Sequence, residues 1–441
     1  MADTLARTLG TRDLTLLVVG NVIGSGIFLV PSSVLAQSGV SVPIAMAVWL
    51  VGGILSLLGA LSYAELGAME GTGSGGGLYA FIRDGFGAFP AFLYGWTLFF
   101  VIGAGTIATL AVAAASYMTQ FTPMTSVQKD VVAVTLIVLM AAINVKGTRE
   151  GAMVQNVATI IKVGAILGIS AVMFVLGEGQ PADVVSRPVT PVSASGVGLS
   201  VISVLWAYEG WQYVTFVAAD AKDPQRSMPR AITIGTLLLI AIYLIANFAY
   251  LAALGPARVA ASERVAGEAV AAVMGPAAGW VIAAAIIVSM YSAAHATVVT
   301  VPRVYFAMAQ DGLFFRRLTE IHPRFGTPAI AIVTSCAWAA LLALTGTFEQ
   351  LLTHVVFIGW IFYALGAAAV ISLRIKRPAA VRPFRVPLYP LTPVIFVLAG
   401  AVIVLNTVVT QPRESAIGIA VVLAGAPAYL IWKRRLAAPR S

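Results

Sequence analysis

Charge is the scarcest commodity in this chain. Only 10% of its 441 residues are charged, against roughly 25% in a soluble domain. Hydrophobic residues make up 59%. So few charges cannot coat a soluble surface of this size, so lipid is the expected solvent for most of it. Cysteine is nearly absent too. The one cysteine, Cys336, lies in an apolar stretch and excludes any intramolecular disulfide. Enzyme motifs are also missing. There is no HExxH, no GxSxG, no pair of intramembrane aspartates and no DxxD pair at a membrane face. The chain is therefore not expected to be an enzyme, and no cofactor or metal is expected. A channel's repeated filter or charged ring is likewise missing.

The apolar runs are long. A helix needs about 20 residues to cross about 30 Å of hydrocarbon. Twelve runs qualify, roughly at 13–36, 42–66, 89–119, 128–145, 153–176, 197–219, 230–254, 276–309, 328–346, 350–374, 388–410 and 415–432. Unpaired backbone groups are not tolerated in lipid, which favours helices, and the alternation of a membrane barrel is absent. The first dozen residues are polar and mixed, and the run after them is too long for the apolar core of a signal peptide.

With the N-terminus inside, 21 of the 27 basic residues fall in inside segments, five in outside loops, and Lys162 within a span. That bias puts both termini in the cytoplasm. It also accounts for the net charge of +9 without nucleic acid, and anionic headgroups are the natural neighbours of the inside loops. Neither of the longest external loops, Glu178–Gly196 and Gly255–Gly275, is expected to hold a separate fold. The Gly71–Gly77 stretch reads as a flexible internal loop. No strand precedes it and no Lys-Ser/Thr follows, so it does not cradle phosphate.

Two runs carry backbone punctuation at their centres. The first reads Gly20-Asn21-Val22-Ile23-Gly24-Ser25-Gly26-Ile27-Phe28. Unwinding there frees amides and carbonyls that must line a cavity or meet a ligand. The half-helix that follows turns its positive end toward that point, where a carboxylate fits. Close packing by small residues explains the same spacing. The sixth run reads Val204-Leu205-Trp206-Ala207-Tyr208-Glu209-Gly210-Trp211-Gln212 and sets a carboxylate at mid-membrane, a functional candidate because of its cost there. Breaks five helices apart suit an inverted repeat of five helices with substrate held between them.

Six segments then carry a resemblance. GNVIGSGIF (20–28), YAELG (63–67), NVKGTREGAMVQNVATIIKV (144–163), WAYEGW (206–211), KDPQRSMPRAI (222–232) and IHPRFGTP (321–328) stand in order on the expected helices. The chain resembles the L-type amino acid transporters of the amino acid–polyamine–organocation superfamily, over about Asp13 to Pro387. The resemblance implies an all-α membrane protein of twelve transmembrane helices with the leucine-transporter-type 5+5 inverted repeat, helices 1 and 6 being discontinuous. It implies a first repeat over 13–176, an inverted second over 197–374, and two accessory helices over 388–432.

It also implies roles. Amides around Gly24, Ser25 and Gly26 would hold the α-carboxylate of an L-amino acid. Carbonyls of Val22 or Ile23, and of Trp206, Ala207 and Glu209, would take its α-ammonium. Trp206 matches an aromatic position that closes over substrate, and Gln212 a polar position near the pocket. Lys162 matches a lysine that replaces the sodium ion of related carriers and would bridge helix 1 to helix 8. Many eukaryotic members carry a cysteine between helices 3 and 4 for a disulfide to a glycoprotein. The loop Thr119–Val127 has none, so no disulfide-linked heavy chain is expected, and a bacterial inner membrane is the expected location. His295 stands where the family often has asparagine.

Glu209 keeps three readings: a contact for cationic substrates, a proton-coupling group, or a partner for freed backbone. Glu65 is expected to cap or gate the end of its helix. Asp220, Lys222, Asp223, Arg226 and Arg230 read as a solvated cluster. The functional expectation is a sodium-independent secondary carrier, exchanging small or medium neutral L-amino acids by alternating access. Exchange of cationic amino acids and proton-coupled symport are the alternatives.

Overall fold

Helices that are apolar on every face have two places to go, the lipid or the middle of a bundle. Both kinds occur here. The computed structural model describes residues 7–69, 76–177, 191–345 and 348–437, and these are helical apart from short connections. The Gly71–Gly77 loop, up to residue 75, and most of the Glu178–Gly196 loop lie outside the described residues.

The chain begins with α1 (Thr11–Val22) and α2 (Gly26–Gln37), two halves of one span bent by 49°. A return span, α3 (Val42–Ala68), leads to a short helix, α4 (Leu78–Phe86). The third span joins α5 (Ala88–Thr97) to α6 (Gly103–Met118) through a π-helical turn, Leu98–Ile102. Carbonyls loosened by that wide turn find side chains: Tyr305 donates its hydroxyl to Leu98 at 3.0 Å and Trp338 its indole N–H to Phe100 at 3.0 Å. Next come α7 (Ser126–Lys146) and α8 (Thr148–Leu176). The sixth span is again broken, into α9 (Ala194–Ala207) and a tighter 3₁₀ segment, Trp211–Asp220.

The second half holds α10 (Pro224–Ala261), α11 (Val265–Met274), α12 (Gly279–Thr300) and α13 (Pro302–Gln310), followed by α14 (Ala329–Thr345) and α15 (Phe348–Lys376). The last two spans are α16 (Leu391–Thr410) and α17 (Pro412–Ala437). Among the described residues nine helices are long and apolar enough to cross a membrane, and the bent α1–α2 pair adds a tenth. The 17-residue α14 and the broken α9 span bring the twelve expected runs to helices. Within the Gly255–Gly275 loop the chain forms one ten-residue helix, α11, which packs against α10 and α12.

Burial sorts the spans. The α5–α6 span is 78% buried over its most apolar window, whereas α7 and α17 are each 17% buried. Those two belong at the lipid boundary. The short α1 is packed by α8, α10 and α12, so its break lies at the centre of the bundle.

The end of the bundle where the chain begins is tied shut. Leu9 pairs with Ala221 in an isolated bridge: the amides of Thr8 and Leu9 donate to the Asp220 carbonyl at 2.9 and 3.0 Å, and Lys222 N–H donates to Leu9 at 3.0 Å. Asp220 is not solvated as expected. It is wholly buried and accepts from Arg303 Nε at 3.3 Å, because the strap and α13 close over it. Lys222 and Asp223 remain exposed.

At the same end Glu65 is 1% exposed and accepts from Arg374 at 2.9 and 2.6 Å and from the Val386 amide at 2.7 Å, with Arg382 at 3.4 Å. This carboxylate clamps α3 to α15 and to the segment that leads into α16. Removing one partner of a buried ion pair strands the others. Glu65→Ala is expected to cost about 3 kcal/mol, read as a lower melting temperature of the detergent-purified protein. An unchanged melt would refute the clamp.

Candidate functional site

The first span stops being helical over Ile23–Ser25 and the sixth over Tyr208–Gly210. A residue without a side chain stands at each break. Gly210 holds φ at +122°, a region that L side chains rarely adopt. A Cβ there would also come within 3.0 Å of the Asn21 carbonyl. Gly26 begins α2, and a Cβ on it would stand 2.7 Å from the Ala207 Cα. The two breaks therefore touch each other backbone to backbone.

Breaking a helix strands carbonyls on one side and amides on the other. The carbonyls are met by three side chains. Lys162, 1% exposed on α8, donates from Nζ to Gly20 at 2.7 Å and to Ile23 at 2.6 Å. The Ser289 hydroxyl on α12 lies 3.1 Å from the carbonyls of both Ile23 and Gly24, which share its one proton. Tyr243 on α10 lies between the two breaks, with its hydroxyl 2.8 Å from the Ala207 carbonyl and 3.2 Å from that of Val22. At the start of α2 the Phe28 amide donates to the Ser25 carbonyl at 3.1 Å, and the Gly26 and Ile27 amides have no carbonyl a turn earlier to receive them. They carry the positive end of the half-helix.

Between the breaks lies a cavity of about 30 Å³, lined by Val22, Gly24, Ser25, Gly26, Trp206, Ala207, Glu209 and Gly210, together with Thr106, Leu110, Tyr213, Ala293 and Thr297 from α6, the sixth span and α12. That space holds a water or two, so the walls have closed on the site. Glu209 faces it. Its Oε1 accepts from the Tyr363 hydroxyl at 2.7 Å, and its Oε2 is buried with no partner among the described residues. Beyond Trp206 opens a mostly apolar chamber of about 280 Å³ that shares Ser25, Gly26 and Trp206 with the cavity. Those three residues are the wall between the two.

Most of the residues expected at a substrate site thus meet in one place. Ile23 and Gln212 do not line the cavity. The Ile23 carbonyl is taken by Lys162 and Ser289, and Gln212 turns its Oε1 back to the Gly210 amide at 3.2 Å. Lys162 makes no hydrogen bond to α12; Ser289, sharing the Ile23 carbonyl, makes the link to helix 8. His295 also lies off the cavity, its Nε2 3.1 Å from Asn144 Nδ2 on α7. Tyr243, Ser289, Tyr363, Thr106 and Tyr213 went unnoticed in the sequence. Their only signal was a hydroxyl within an apolar run, and many buried hydroxyls here merely bond the preceding turn.

A family model described as "Amino acid permease" matches residues 9–427. Over 98% of each chain, the protein is 33% identical to the serine/threonine exchanger SteT of Bacillus subtilis (strain 168). It is 31% identical to the large neutral amino acids transporter small subunit 2 of Mus musculus, over 98% of this chain and 82% of that one. It is 28% identical to the Asc-type amino acid transporter 1 of Homo sapiens, over 98% and 84%.

The contact of the breaks gives a test. Gly26→Val would push Ala207 away and cover the α2 amides. Labelled amino-acid uptake into proteoliposomes is expected to fall to background while the protein still purifies as a monodisperse species. Normal uptake would remove the first break from the site.

Proposed function

The chain belongs to the amino acid permease family, and on that premise we propose that it is a sodium-independent exchanger of small or medium neutral L-amino acids, working by alternating access. The observation that carries the proposal is Lys162. Its ammonium sits 2.7 and 2.6 Å from two carbonyls freed by the first break. A fixed positive charge there satisfies oxygens that would otherwise recruit a cation from solution.

The substrate's α-carboxylate would lie on the amides at Ser25 and Gly26, which also feel the positive end of α2. Its α-ammonium would meet the carbonyls of Trp206, Ala207 and Glu209, and that of Val22, which keeps a lone pair beside Tyr243. We assign the Ile23 carbonyl to Lys162. The small Ala293 and the hydroxyl-bearing Thr106 and Thr297 leave little room for a large side chain. The name of the serine/threonine exchanger supports the same choice. Trp206 would move aside to admit substrate from the apolar chamber.

One feature favours a second reading. The partnerless Glu209 Oε2 would suit a cationic side chain or a transported proton. The inverted halves would be 13–176 and 197–374, with 388–432 appended. The basic bias would place both termini in the cytoplasm, with a bacterial inner membrane as the setting. No cysteine between α6 and α7 offers a disulfide to a second chain.

Exchange is tested by comparing labelled serine uptake into empty and serine-loaded proteoliposomes without sodium. Strong stimulation by internal serine is expected, whereas equal uptake in empty vesicles would refute exchange. Lys162→Ala should slow turnover at least tenfold with a smaller effect on yield of folded protein; an undiminished rate would take away the lysine's role. Glu209→Gln should leave serine exchange within a few-fold of wild type. Loss of lysine transport in that variant would instead establish the cationic reading.

A further inference from the structure

The charged side chains gathered beside α11 have no part in the site just described. They line a chamber of about 540 Å³ at the end of the bundle opposite the Leu9–Ala221 strap. It is the larger of the two chambers near the central cavity. Arg264, Glu263 and Glu268 contribute both signs of charge, and Tyr117 and Gln120 add polar groups. All three charged residues are exposed, so solvent reaches them. Arg264 makes no ion pair with any described residue.

The chamber is in line with the central cavity. Leu110 and Ala293 line the cavity, while Tyr117 and Ile286 line the chamber. Each pair is seven residues apart on one helix, which is the same face two turns on, about 10 Å. The faces of α6 and α12 that bound the cavity therefore continue outward to bound the chamber. Between them stands Phe28, buried on the first turn of α2 and itself part of the chamber wall.

We propose that this chamber is an outer docking site for a zwitterionic amino acid, with its carboxylate on Arg264 and its ammonium on Glu263 and Glu268. This rests on the exchange reading above. Opposite charges across a half-apolar chamber match the two charged groups and the side chain of one free amino acid. An anion or a cation alone would leave one sign of wall charge unmatched. The volume falls in the usual range for small-ligand pockets, about 300–1,000 Å³. Displacement of Phe28 would then deliver the docked molecule to the α2 amides.

The test compares the two faces of the carrier. L-Serine exchange is measured in oriented proteoliposomes with wild type, Arg264→Gln, Arg264→Lys and Glu268→Gln. Arg264→Gln is expected to raise the KM for serine on the α11 side about tenfold, the loss of one charge-assisted contact. The KM on the opposite side and the maximal rate should stay within twofold, and Arg264→Lys should recover most of the loss. An unchanged KM on the α11 side, or equal shifts on both sides, would overturn the site. Serine-induced thermal stabilisation separates this proposal from exchange itself. A weak component is expected to persist in Gly26→Val and to vanish in Gly26→Val with Arg264→Gln. If that component persists while wild type exchanges nothing, the exchange reading fails and the docking site stands. If wild type exchanges serine and Arg264→Gln is indistinguishable from it, the docking site fails alone.

Discussion

Everything at the centre of this protein follows from one constraint: a carbonyl set free inside a lipid-embedded bundle must find a donor. Leaving one buried and unmet costs about 1–3 kcal/mol, and water cannot come to its aid in hydrocarbon. The break at Ile23–Ser25 frees several at once. Lys162, Ser289 and Tyr243, the last through Val22, answer them from three different helices, α8, α12 and α10. A buried ammonium is itself costly, but two charge-assisted bonds shorter than 2.8 Å are the strong kind. The break and the lysine are thus stable only together. On the other side of the break the Phe28 amide turns back to the Ser25 carbonyl at 3.1 Å, and the Gly26 and Ile27 amides ahead of it meet no acceptor among the described residues. That asymmetry, with carbonyls met and the first two amides of α2 free, is the ground on which the proposed carboxylate position rests.

The second consequence is mechanical. Gly26 lies against Ala207 and Gly210 against Asn21, neither glycine having a side chain to hold the two broken spans apart. Tyr243 bonds both. Motion of one half-helix must therefore carry or strain the other. At the Leu9 end, the strap to Asp220 and the Asp220–Arg303 pair hold α1 against the 3₁₀ half of the sixth span. The chambers lie at the other end. A route through the protein can open at the strapped end only by undoing a backbone bridge and a buried ion pair, and closed packing at the opposite end would have to offset that loss.

Much of this was legible in the sequence. Composition gave the solvent, run length gave the spans, and glycine beside serine or glutamate marked both breaks, because backbone conformation is a local property. Lys162 was visible because a charge in an apolar run has no local excuse. The partners of the breaks were not visible. Tyr243 is 36 residues from Ala207 and 221 from Val22, and nothing in its neighbourhood says which carbonyl it meets. Asp220 misled for the same reason. Charged residues follow it from Lys222 on, whereas its burial is decided by α13 and by the strap at Leu9. The family resemblance placed Ile23 and Gln212 by position, but the direction of a carbonyl or an amide side chain depends on packing that position alone does not fix.

The two buried carboxylates show what distinguishes a structural acid from a poised one. Both are in spans, and both were candidates for a role beyond packing. Glu65 has both oxygens engaged, by Arg374, Arg382 and the Val386 amide, so it has nothing left to offer a ligand. Glu209 has one donor, the Tyr363 hydroxyl, on one oxygen, and the other faces a cavity with no partner among the described residues. A buried carboxylate oxygen without a donor is destabilising by itself, and persists only where something else holds the chain in place. Here the constraint is Gly210, whose φ of +122° and contact with Asn21 fix the turn in which Glu209 sits. The fold therefore tolerates an unmet acceptor at the point where the two broken helices meet, and whatever enters that point with a donor, whether substrate ammonium, cationic side chain or proton, relieves it.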